Sequence, residues 1–101
     1  MFSFLDAKAA KAFGTEMAHF YISRLPPDAV LKEKEKQLAA KAKQAMELMA
    51  EQITAYKKQN PLNIYKVAQM GNAFKWTLKD AGYSETYIDK LTQWFIVSIK
   101  L

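Results

Sequence analysis

Glu16, His19 and Ser23 follow one another at spacings of three and four, which sets a carboxylate, an imidazole and a hydroxyl on one helix face. Those types match a nucleophilic triad, in which a carboxylate orients a histidine and the histidine takes a serine proton. Acyl transfer also needs donors for an oxyanion, and no Gly-rich turn stands nearby to supply them. Spacing alone brings such neighbours together, so they read as the polar flank of a helix. Glu16-Met17-Ala18-His19 also fits the Glu-x-x-His spacing of di-iron helical bundles. That site needs a second copy of the motif and further carboxylates. Glu47 and Glu51 are the nearest by type, and neither lies on the apolar stripe of its own helix. Gly14, Gly71 and Gly82 are isolated, so no phosphate-binding loop is present. With one His and no Cys the chain is poor in catalytic groups. The expectation is a non-enzyme without metal or cofactor.

A second constellation is suited to binding. Tyr65, Gln69, Asn72 and Trp76 recur at spacings of four and three, opposite an apolar stripe, and Lys66, Lys75 and Lys79 flank them. Aromatic rings between amides and lysines can stack bases or hold a peptide. The competing expectation packs Tyr65 and Trp76 on Phe2 and Phe4, since Trp is generally well buried. These seven residues form the candidate binding face.

The element that positions them is a well-punctuated helix over about 63–81. Asn60 or Asn63 can cap its start, and Pro61 suits a first turn because its missing N–H would be unpaired there. Ile64, Val67, Gly71, Phe74, Leu78 and Ala81 make its apolar stripe. Gly82 tolerates the left-handed conformation that stops a helix. Ser84 caps the next helix, with Tyr83 and Ile88 placed as a hydrophobic staple. The glycine turn invites a helix-turn-helix reading. Against it, the following helix opens with Glu85 and Asp89, which repel phosphate.

The rest of the chain reads as three more helices. The first spans about 3–25. Leu5, Ala9, Phe13, Met17 and Phe20 form one face, and Ala7, Ala10, Gly14 and Ala18 form a small-residue face that lets a neighbour approach closely. Pro26-Pro27 ends it. The second spans about 28–59, capped by Asp28, with Leu31, Leu38, Ala42, Ala45, Met49, Ile53 and Tyr56 along one stripe. At ~1.5 Å per residue it would be ~48 Å long, so it bends or its charged start, Lys32 to Gln37, overhangs the bundle. The last spans about 85–100, with Ile88, Leu91, Phe95 and Ile99 inward and Tyr87 and Trp94 extending the face sideways. An end reading WFIVSIKL is too apolar for water and should dock in the fold or at a subunit interface. The expected architecture is all-α, a single compact four-helix domain over 1–101 with a long second helix.

Composition narrows the function. The chain has 101 residues and a net charge of +5, from 15 Lys+Arg and 10 Asp+Glu. The excess is spread along the chain, and Arg24 is the only arginine. Readers of phosphate and base edges lean on the arginine fork, so sequence-specific nucleic-acid recognition is not indicated. The longest strictly apolar run, Trp94 to Val97, is far short of a membrane span, and no signal peptide is read at the start. Absence of Cys suits a reducing compartment, and a cytoplasmic protein is expected. The leading expectation is an interaction module that self-associates or docks onto another protein. The alternative is non-specific nucleic-acid binding through dispersed lysines.

Overall fold

The computed structural model describes residues 6–101. It contains α1 (Lys8–Arg24), α2 (Pro27–Lys32), α3 (Glu35–Gln59), α4 (Ile64–Ala81) and α5 (Glu85–Lys100), with no strand among the described residues. The fold is all-α. The four expected segments are helical in order, the second of them divided in two. Ser3, Leu5, Phe2 and Phe4, which figured in the expectations for the N-terminus, lie outside the described residues.

The largest helix–helix contact joins α1 to α4. Small side chains make it possible. A Cβ on Gly14 would lie 2.3 Å from the Met70 carbonyl oxygen and 3.3 Å from the Ala73 methyl. Ala10, Gly14 and Ala18, three of the four small residues expected to admit a neighbour, are buried on α1, and Ala7 just before the helix is buried as well. Gly71 works differently. It faces α5, where the Ile96 side chain fills the space that a Cβ would take.

Aromatic stacking ties in the other helices. Phe74 of α4 and Phe95 of α5 stack with ring centroids 4.1 Å apart, and both are fully buried. Phe13 of α1 stacks on Tyr56 of α3 at 4.2 Å. The corner between α4 and α5 follows its signals. Gly82 has φ +108°, the Asn63 side chain accepts from the Lys66 N–H at 2.8 Å, and Ser84 accepts from the Tyr87 N–H at 3.3 Å. Tyr83 and Ile88, the two ends of the expected staple, are both buried. The C-terminal segment is helical, with Phe95 and Ile99 in the core.

Three expectations need correction. The helix foreseen over 28–59 breaks at Glu33 and Lys34, whose backbones are extended. Nothing in the run Lys32-Glu33-Lys34-Glu35-Lys36 opposes helix locally. The break lets the α2 end fold back, so that Val30 packs on the core. It also lets Glu33 pair with Lys41. An unbroken helix would hold those two residues ~12 Å apart along its axis. Asp28 makes no cap. Pro26 is the N-cap residue and Pro27 takes the first helical position, which its fixed φ suits. Finally, Leu31 and Ile64 are 85% and 81% exposed, and Ala9 and Ala81 also face solvent. Leu31 and Ile64 sit near helix ends, beyond the reach of the neighbour that covers the rest of the stripe. Met70 takes the core place on α4 instead.

The two glycines give opposite outcomes on substitution. Gly14→Ala drives a methyl into backbone and should destabilise by ~1–3 kcal/mol in urea unfolding. Gly71→Ala meets only the tip of Ile96, which can turn aside. Its strain is offset by the ~1 kcal/mol helix preference of Ala over Gly, so its stability should stay near wild type.

Candidate functional site

The expected binding face splits when placed on α4. Asn72, Lys75, Trp76 and Lys79 are exposed, whereas Tyr65, Lys66 and Gln69 are half-buried. Tyr65 packs against the core. Lys66 turns toward α1, where it lines a shallow depression with Asp6, Lys8, Ala9 and Ala12. Trp76 is 55% exposed, so the core does not clamp it. The Lys79 ammonium lies 4.8 Å from its ring centroid and 3.9 Å from the Glu85 carboxylate. One face of the indole is thereby occupied by the protein's own cation.

The Glu16, His19 and Ser23 face is exposed throughout. The Ser23 hydroxyl donates back to the Phe20 carbonyl at 2.6 Å, so it is turned away from His19 toward its own helix. No group of three His, Cys, Asp or Glu side chains able to hold a metal occurs among the described residues. Arg24, the single arginine, lies 4.9 Å over the Phe20 ring.

A different site emerges between α3 and α5. The two helices touch only lightly, and α3 buries just Ala45, Met49 and Ile53. Beside that contact the surface between them is hollow. One section of the resulting groove, about 450 Å³, is lined by Ala39, Ala42, Lys43, Met46, Glu47, Ala50 and Trp94. A second, about 220 Å³, is lined by Tyr21, Ala42, Met46, Tyr87, Lys90 and Leu91. Ala42 and Met46 belong to both, so the sections are continuous. A third hollow of about 220 Å³, lined by Pro27, Val30, Leu31, Gly82, Tyr83, Ser84 and Tyr87, joins at Tyr87. The floor is apolar and the lips carry Lys43, Glu47 and Lys90. Small residues on α3 keep the trough open, and half-buried Trp94 and Met46 wall it. The sequence held a signal for it. Ala39, Ala42, Met46 and Ala50 recur at helical spacing beside the core stripe, and Trp94 stands to one side of the α5 core face.

The groove floor is rigid at its α2 end because three tyrosines lock it. The Tyr21 and Tyr87 hydroxyls are 2.5 Å apart, and the Tyr83 hydroxyl donates to the Leu25 carbonyl. Tyr83 and Tyr87 stack with centroids 5.5 Å apart. Burial pushes the Tyr21 phenol far above its usual range, with the bond to Tyr87 adding to the shift. Burial, then the neighbouring Tyr87, raises Tyr83 as well.

Comparison with protein families, with curated proteins and with solved structures finds no match for this chain. Among the described residues no helix is long and apolar enough to cross a membrane.

The raised phenols make stability depend on alkaline pH. Each holds its proton more tightly folded than unfolded. Their stabilisation is complete below the ordinary tyrosine value of 10.0 and fades as pH climbs through the raised folded range. Thermal melts from neutral pH to about pH 11 should show a steep loss. In Tyr21→Phe and Tyr83→Phe the loss over the same range should be shallower, whatever each variant's stability at neutral pH.

Proposed function

We propose that the protein is a non-enzymatic protein–protein interaction module whose docking surface is the α3–α5 groove. One observation carries the reading: a continuous apolar trough stands open between two helices and is walled by Met46 and Trp94. Its lining is mainly apolar with charged groups at the lips, the pattern of an interface with an apolar centre and a polar rim. That lining suits an amphipathic helix laid along it, a recurring mode of recognition by apolar grooves. From Ala39 to Ala50 the α3 wall is ~16 Å long, about three turns of a bound helix. Met and Trp are apt for this, one adaptable in shape and one large and rigid.

Site-directed photocrosslinking in cells tests the reading. A photoreactive residue at Ala39 should give a discrete adduct that disappears when Met46→Glu is added. The same probe at Lys75, exposed on α4 and outside the groove lining, should not depend on Met46. Absence of any groove adduct, or adducts indifferent to Met46→Glu, would sink the proposal.

A second reading rests on Trp76, whose ring is open to solvent among Asn72, Lys75 and Lys79. There the lysines would hold single-stranded nucleic acid without sequence preference and the indole would stack a base. Phosphate contacts make affinity fall steeply with salt. Binding to an oligonucleotide at low salt should then weaken in Trp76→Ala and vanish as salt rises. Binding absent at low salt ends this reading.

A further inference from the structure

Resting on the interaction-module reading, we propose that the occupant of the α3–α5 groove is the same groove of a second copy of this chain. The two α3 helices would lie antiparallel across a two-fold axis. The α3 residues that line the groove are 39, 42, 43, 46, 47 and 50. That set is its own mirror image about a point between residues 44 and 45. A two-fold axis there brings Ala39 level with the partner's Ala50 and Lys43 level with the partner's Met46, with Ala42 and the partner's Glu47 level on opposite flanks. An isologous interface demands this self-matching, because each patch must fit itself.

The charges match as well as the spacing. Lys43 comes beside the partner's Glu47 on the flank of the helix pair. An acidic partner would find Glu47 on the lip repelling it, and a basic one would meet Lys43. A second copy satisfies both charges. Alanines at both ends of the contact permit close approach of the two helices, and Met46 fills the middle.

The length of α3 gives a separate reason. From Glu35 to Gln44 no residue is buried, and Leu38 and Ala42 are only half-covered. A helical segment of this length is marginal in water on its own. In the pair, the partner's α3 covers this face.

Sedimentation of the full chain over a concentration series tests the proposal. Wild type should be a dimer. Glu47→Lys sets a second lysine against the partner's Lys43 and should weaken dimerisation by roughly tenfold or more. Lys43→Glu sets two glutamates together and should weaken it to a similar extent. Both side chains are exposed, and matched circular dichroism confirms that each variant folds. Mixing the two variants in equal amounts should restore dimer beyond what either forms alone, since each then meets an opposite charge in the other. Restoration by mixing cannot come from changes within one chain. A wild type that stays monomeric at every concentration overturns the proposal, as does a dimer indifferent to Glu47→Lys. The crosslink at Ala39 separates the two ideas. An adduct to a different protein, with wild type monomeric, removes the second copy and leaves the docking surface standing, whereas no adduct removes both.

Discussion

At Gly14 the backbones of α1 and α4 come so close that one methyl group would strike the Met70 carbonyl. The other helices take their places from this approach. Because α1 and α4 share their faces fully, Phe74 is free to turn toward Phe95 and hold α5. Phe13 is left to meet Tyr56 and hold α3. A bulkier residue at position 14 would separate the first pair and loosen both stacks with it. The close packing of protein interiors means such a shift is transmitted and not absorbed.

The tight pair has a loose complement. α3 is attached along one half by three buried side chains, Tyr56 and the Glu33–Lys41 link at its start. An exposed ion pair of that kind contributes at most about 1 kcal/mol. It marks where the helix breaks and does not cause the break. Along the groove α3 contributes the half-covered Leu38, Ala42 and Met46, while tyrosines fix the α5 wall opposite.

Helix positions were legible in the sequence because their signals are local. Gly82, Ser84 and Asn63 act within a turn of where they stand. The four-residue steps of Phe74 and Leu78, or Phe95 and Ile99, need only the helix period. The division of the second helix is not legible, since Glu33 and Lys34 leave the helix where Val30 packs on the core and Glu33 meets Lys41. As one aromatic residue among several on α1, Tyr21 carries no signal until Tyr83 and Tyr87 are brought against its hydroxyl end. The candidate face around Trp76 was legible as residues on one side of α4, yet spacing could not show that Lys79 would lie on the indole or that Lys66 would turn to α1. The groove is hardest to foresee, because its lining comes from helices distant in sequence.

The corner tyrosines join parts of the chain that are far apart. Tyr83 reaches Leu25 across 58 positions and Tyr21 reaches Tyr87 across 66. The closest helix pair is likewise the first with the fourth. A ribosome that has delivered α1, α2 and α3 has delivered no finished core. α3 then offers α1 little more than Tyr56 and a few inward side chains, and the small-residue face of α1 has nothing to lie against. Only when α4 emerges can the backbones close at Gly14, and only with α5 do the tyrosines lock. Pairing distant segments costs loop-closure entropy before any contact repays it, which slows such steps. The contacts that hold α1 thus wait for α4 and α5, the helices that follow it at the greatest distance along these residues.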